Sequence, residues 1–200
     1  MTEKTHLSTK ETILSVSAKL FAKSEYNKVT MREIGKAVGI NPASIYYYFP
    51  SKADILKSLY DRYSTERLRG YPNLNELLSL VEMHPPHEVL MKSEYHFDED
   101  IRETLDQILA TAAHTINTDP ESERFIRENI FDSISSMLKP LLQQMVTLGK
   151  IKPFDIERFI GILSFYCYGA AALNNTSFRN SPEQYQADLS LVFSIIAPVE

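Results

Sequence analysis

Two hundred residues, 44% of them apolar, can bury a sizeable core as one large domain or two small ones. The single cysteine, Cys167, excludes an intrachain disulfide and points to a reducing cytoplasm, and the polar start MTEKTHLSTKE lacks the apolar centre of a signal peptide. The net charge of −5 is unevenly divided: residues 1–60 hold nine Lys/Arg against five Asp/Glu while the remainder is acidic, so the front end is the part suited to a polyanion.

In chain order the sequence predicts an all-α protein. Ser8-Thr-Lys-Glu11, Thr30-Met-Arg-Glu33, Ser51-Lys-Ala-Asp54 and Ser181-Pro-Glu-Gln184 match the capping box that satisfies orphan amides at a helix start. Asn41-Pro42 and Asp119-Pro120 add two further starts, each a cap residue followed by proline at the first helical position. The first helix is expected from about residue 9 to 24, with Ile13, Val16, Leu20 and Phe21 as its apolar stripe. Short helices follow near 31–38 and 42–48, then a longer one from about 52 towards 68.

Gly70-Tyr-Pro72 interrupts the pattern. It divides the chain into an N-terminal three-helix unit with a helix-turn-helix, 8–68, and a larger helical region, 69–200. In that region helices are expected near 73–83, 86–96, 98–117, 120–149, 155–176 and 182–197, with Pro140 placed to kink or divide the fourth. The longest apolar stretch, 159–173, is interrupted by Ser164, two glycines and two tyrosines. It falls short of the roughly twenty residues of a membrane span, so no membrane partner is expected.

The segment from Glu33 to Phe49 carries the functional signal. Two short helices meet at Gly39, whose freedom to adopt the left-handed conformation suits a tight turn. Ile45, Tyr48 and Phe49 recur at helical spacing and form the inward face of the second helix. The run Tyr46-Tyr-Tyr48 advances about 100° per residue, so its rings cannot all face one core. Tyr46 and Tyr47 are left outside, where their hydroxyls can reach phosphates, and small Ala43 and Ser44 permit close approach to base edges.

With these residues laid out, the chain resembles the TetR family of transcriptional regulators over about residues 8–60. Ile13, Ala18, Leu20 and Phe21 carry the resemblance, together with VTMREIGKAVGINPASIYYYFPSKADIL at 29–56. Two positions depart from the family pattern: Glu25 stands where glycine is usual and Gly35 where alanine is usual. The resemblance implies that Thr30 caps the second helix beside the DNA backbone and that Arg32 reaches a phosphate or a guanine. It implies that Asn41, Ala43 and Ser44 lie near bases, and that Tyr46, Tyr47 and Lys52 contact phosphates.

It also implies a homodimer on a double-stranded operator, with a C-terminal pocket for an effector. The sequence supports the dimer independently. The 155–176 helix is apolar on nearly every side, with Gly161, Phe165, Gly169 and Ala172 in a narrow row, and Tyr185, Leu189, Val192 and Ile196 recur at helical spacing in the last helix. These two helices are the expected dimer seam. Candidate pocket residues are Tyr95, His96, Phe97, Phe131, Met137, Phe165, Tyr166 and Tyr168, a lining suited to a hydrophobic or aromatic small molecule.

No cofactor and no metal are expected, because His84 and His87 are separated by two prolines and Cys167 is isolated. The reading is therefore a cytoplasmic repressor, not an enzyme, released from DNA by its effector. The alternatives within the class are an activator or a regulator that responds to a protein. From another class, a helical enzyme would need a glycine-rich phosphate loop or a metal-spaced cluster, and the sequence has neither.

Overall fold

The computed structural model describes residues 8–24, 26–93, 99–173 and 181–196. Eleven α-helices and two short turns of other helix type make up these residues, with no strand among them. The first four helices are α1 (Thr9–Lys23), α2 (Met31–Val38), α3 (Pro42–Tyr48) and α4 (Lys52–Gly70), with a 3₁₀ connector, Tyr26–Lys28, between α1 and α2. Then come α5 (Leu74–Met83), α6 (Pro86–Lys92), α7 (Glu99–Thr115) and α8 (Pro120–Ile126). A π-helical turn, Arg127–Phe131, leads into α9 (Asp132–Thr147), and α10 (Ile156–Leu173) and α11 (Pro182–Ile196) complete the order.

The expected starts carry the caps their sequences specify. Ser8 accepts from the Glu11 amide, Ser51 from Asp54 and Ser181 from Gln184. Thr30 and Glu33 form the full reciprocal box. The expected single helix over 120–149 is instead α8, the π turn and α9. Pro140 lies inside α9, eight residues beyond its start, and does not divide it.

Apolar packing does not follow the boundary at Gly70. One core joins Ile13, Ala18 and Phe21 of α1, Ile34 of α2, Ile45 of α3 and Ile55, Leu59 and Tyr63 of α4 to residues of α7 and α8, among them Leu105, Ile108, Ala112 and Phe125. A second core is built by Leu77 and Val81 of α5, Val89 and Leu90 of α6, Leu141, Leu142 and Met145 of α9, Ile160 and Leu163 of α10, and Leu189 and Phe193 of α11. Thus α7 and α8 pack on the N-terminal helices, and α7 packs on α10 as well. Each buried Leu, Ile or Phe of this shared core contributes roughly 1.5–3 kcal/mol, so the helix-turn-helix is anchored to the rest of the chain and not strung from it.

A polar seam reinforces that anchoring. Arg67, late in α4, donates to Asn129 Oδ1 at 3.0 Å and to Ser133 Oγ at 2.7 Å, and the Tyr71 hydroxyl donates to the Ser133 carbonyl at 2.6 Å. Asn129 is buried in the π turn, where its amide also donates to the Phe125 carbonyl. The π turn thus presents Asn129, and the first turn of α9 Ser133, to α4.

Helix α10 is 18 residues with mean hydropathy 1.2, long and apolar enough by those measures to cross a membrane. It packs against α7 and α9, with Ile160, Leu163, Ser164 and Ala171 buried and Ile162, Phe165 and Leu173 exposed. One side of α10 thus faces the interior and the rest of the helix is open or half-buried. Residues 161, 165, 169 and 173 follow one another at four-residue steps along it.

Candidate nucleic-acid interface

Helix α2 begins where Thr30 accepts the Glu33 amide at 3.2 Å and its own amide donates to Glu33 Oε2 at 2.7 Å. The Thr30 backbone amide first, and its hydroxyl donating to Oε2 at 2.9 Å second, hold the Glu33 carboxyl below its ordinary range. Glu33 is thereby committed to the cap, and exposed Arg32 has no ion-pair or hydrogen-bond partner among the described residues. A free guanidinium beside a helix start can reach a phosphate or a guanine edge.

The turn is closed by Gly39 at φ 80°, the left-handed conformation its sequence position demands. Gly35 answers a different need. A β-carbon there would stand 3.0 Å from the Pro42 Cα, so the absence of a side chain is what lets the start of α3 lie directly on α2. The departure from alanine at this position is thus matched to Pro42. Asn41 caps α3 by accepting the Ala43 amide at 2.9 Å, which occupies its side-chain oxygen and leaves its amide nitrogen for an outside acceptor.

Ile45 and Phe49 point into the core and Tyr48 is half-buried. Ala43 and Ser44 are exposed, Tyr46 is 55% exposed and Tyr47 is 87% exposed. Tyr47 meets the Tyr48 ring edge-on at 5.3 Å, which braces an otherwise open side chain. Sequence reasoning missed Lys10. Its ammonium lies 5.5 Å from the Phe49 ring centroid, which brings the start of α1 beside the end of α3.

Lys52 requires correction. Its Nζ donates to the carbonyls of Tyr26 at 2.6 Å and Val29 at 2.8 Å and stands over the Tyr26 ring. Partial burial lowers its pKa, opposed by the nearby Glu33 charge. Two of the three ammonium hydrogens are spent within the chain, so Lys52 ties α4 to the connector instead of reaching outward to a phosphate.

The expected pocket residues do not converge. Tyr95, His96 and Phe97 lie outside the described residues. Phe131 contacts Phe165 edge-on at 5.3 Å and lies 6.4 Å from Tyr168, but Phe165 is 68% exposed and Met137 is packed in the second core. Tyr166 turns to α11, donating to Asp188 at 2.8 Å and stacking on Tyr185, while Tyr168 turns to the Ala113 carbonyl of α7. Successive residues on a helix diverge by about 100°, so the run at 165–168 serves three directions.

The expected seam residues also divide. A β-carbon at Gly161 or Gly169 would meet nothing within 4 Å, so both lie on the open face of α10. Ala172 packs partly against the first core, and Tyr185, Val192 and Ile196 partly against the second. Leu189, expected at the seam, is only 3% exposed and fills the second core; the outward apolar residues of α11 are Leu191 and Ile195. The three described histidines go to separate partners: His84 to Glu88, His87 to Ser190 and His114 to the Ala172 carbonyl.

Residues 13–59 match the family described as bacterial regulatory proteins, tetR family. That match covers the capped α2, the glycine turn and the exposed α3. Residues 13–59 thus form a TetR-type N-terminal domain. It is 30% identical over 162 residues to the uncharacterized HTH-type transcriptional regulator YerO of Bacillus subtilis (strain 168). The match takes in 80% of this chain and 52% of that protein, so the chain spans about half the length of the relative.

Among solved structures, the TetR-family regulator PfmR from Thermus thermophilus is similar with a TM-score of 0.62 and 20% identity, over 92% of this chain and 95% of that one. A putative TetR-family regulator from Rhodococcus sp. is similar with a TM-score of 0.66 and 14% identity, over 94% and 98%. At these identities the likeness concerns fold.

Proposed function

We propose that the protein is a cytoplasmic, sequence-specific DNA-binding regulator acting as a homodimeric repressor. The observation that carries this reading is the exposed outer side of α3. Ala43, Ser44, Tyr46 and Tyr47 stand on a seven-residue helix fixed from below by Ile45 and Phe49, with the unpaired Arg32 guanidinium on α2. Small residues admit a base edge, flanking phenols and a guanidinium hold the backbone, and the buried side leaves the helix one orientation.

The second element of the proposal is the dimer. Gly161, Phe165, Gly169 and Leu173 lie on the open side of α10, and Leu191 and Ile195 are the outward apolar residues of α11. Two copies joined there would present two α3 helices. Adjacent major grooves on one side of a duplex lie about 34–36 Å apart. An effector that favours another spacing would weaken binding through its unequal affinity for the two arrangements. The effector class proposed is a hydrophobic or aromatic small molecule, a reading supported by the apolar and aromatic character of the C-terminal helices.

Selection of bound sequences from random or genomic DNA fragments tests the reading. Recovery of one inverted-repeat motif, with shifts by a dimer, is the expected result. Failure to enrich any sequence would overturn it.

A further inference from the structure

A cleft of about 230 Å³ opens where the connector Tyr26–Lys28, the first half of α4 and the turn between α7 and α8 meet. It lies outside the interior of the C-terminal region, and none of the aromatic residues expected to bind an effector lines it. Its volume is below the roughly 300–1,000 Å³ of pockets for drug-sized ligands, which sets the scale of an occupant at a small molecule.

The cleft has a rigid floor. Tyr60 stacks on Phe125 at 4.2 Å, and its hydroxyl meets the Ser122 hydroxyl at 2.7 Å. Ser122 in turn contacts Thr115 at 2.8 Å and donates to Asp119 Oδ2 at 2.5 Å. The Ser122 amide also donates to Oδ2, so Asp119 Oδ1 remains for another donor. Across the cleft, the Tyr26 hydroxyl has no hydrogen-bond partner among the described residues. Burial first, and the Asp119 charge second, raise the Tyr26 pKa.

Glu121 adds a second negative charge at the wall, partly engaged by Arg124, and Lys57 adds one positive charge. The rest of the lining is largely apolar or aromatic, with Ala53 and Leu56 beside the two tyrosines. A free carboxylate oxygen and a phenol oxygen in the lining of one cleft can accept hydrogen bonds from a group with several N–H donors, and the net negative wall favours that group when charged.

We infer that this cleft is a binding site for a small protonated amine with an apolar or aromatic body, and that its occupancy regulates the helix-turn-helix. The ammonium would bridge Asp119 Oδ1 and the Tyr26 hydroxyl. The body would lie along Ala53, Leu56 and the Tyr60 ring. The regulatory half rests on the DNA-binding reading above. Tyr26 belongs to the connector that runs into Val29 and the Thr30 cap, and Lys52 grips the carbonyls of both Tyr26 and Val29. A ligand held by Tyr26 and Asp119 together ties the start of α2 to the turn between α7 and α8. It therefore opposes any movement of α2 and α3 that DNA requires.

The test uses the full chain with 2-phenylethylamine, and 3-phenylpropionate as the anionic analogue of similar size. By calorimetry without DNA, the amine binds and the acid does not. Asp119→Asn weakens the amine at least tenfold, with the helical signal unchanged because asparagine caps as well as aspartate. Tyr26→Phe weakens it by a smaller factor. Equal binding of amine and acid, or unchanged amine binding in Asp119→Asn, overturns the site. With a selected DNA fragment, saturating amine lowers DNA affinity severalfold, and DNA lowers amine affinity by the same factor. Amine binding with unchanged DNA affinity overturns the regulatory half. If no DNA is bound at all, the DNA-binding reading fails, while the calorimetry still decides the site.

Discussion

The ammonium of Lys52 donates to the main-chain carbonyl of Tyr26 at 2.6 Å and stands 4.2 Å from the centroid of the same residue's ring. One side chain at the start of α4 thus grips the connector that leads into α2. This makes Lys52 a positioning residue, and its loss differs measurably from the loss of a phosphate contact. Lys52→Met should lower thermal stability and weaken DNA binding while leaving the slope of log affinity against log salt unchanged. A phosphate contact would reduce that slope by about 0.9. A reduced slope would return Lys52 to the DNA surface.

Arg32→Ala and Tyr47→Ala should weaken DNA binding with helical signal and oligomeric state intact, since neither side chain is buried. If Arg32 reads a guanine, its loss costs about 1–3 kcal/mol at one position of the site and relaxes preference there. A phosphate contact lowers affinity evenly across sequences. Unchanged affinity in both variants would place the recognition surface elsewhere.

Gly169 separates protomer stability from assembly. Because a β-carbon there meets nothing within 4 Å, Gly169→Phe should leave the protomer folded while shifting a dimer to monomer on a sizing column. A dimer that persists in this variant would show that α10 does not form the seam.

The Arg67–Asn129 contact predicts a cooperative loss. Asn129→Ala removes the acceptor that Arg67 Nε reaches at 3.0 Å and leaves a partly buried guanidinium short of one partner. The expected cost is about 1–3 kcal/mol, read as a lower denaturant midpoint. The double variant Arg67→Met with Asn129→Ala should cost less than the sum of the two single changes. Additive losses would mean the pair is not coupled.

Tyr60 gives a pH signature. Burial first, and the Asp119 charge among lesser causes, push its phenol up to about 12, against hydrogen bonds from Ser122 and Thr115 that lower it. Below pH 10 the phenol is protonated whether the chain is folded or not. Between about pH 10 and 12 the unfolded chain releases this proton and the folded chain keeps it, so stability falls as pH rises through that window. Two units correspond to about 3 kcal/mol at most. Wild type should lose more stability than Tyr60→Phe over this range in denaturant titrations. Parallel losses would remove the assignment.

Helix starts, the glycine turn and the inward side of α3 were readable because each depends on residues within four positions of one another. Thr30 finds Glu33, Asn41 finds the Ala43 amide, and Gly39 supplies a backbone angle that its own lack of a side chain permits. The exposure of Tyr46 and Tyr47 followed from the same local rule, once Ile45 was placed inside.

Other features depend on what lies across the fold. The spacing of Tyr185, Leu189, Val192 and Ile196 marks an apolar side of α11 but not its partner; the chain's own second core takes that side and leaves Leu191 and Ile195 outside. Lys52 reads as a surface cation until Tyr26 and Val29, more than twenty residues earlier, offer their carbonyls. Asn129 carries no local sign that Arg67 will reach it, and the π turn that presents it follows no capping signal. Short-range hydrogen bonding and helical period determined where the helices of the N-terminal unit begin and which side of α3 is inward. The direction of each long side chain was decided only by tertiary packing, because a flexible charged or aromatic group takes its geometry from partners that the chain brings near only when folded.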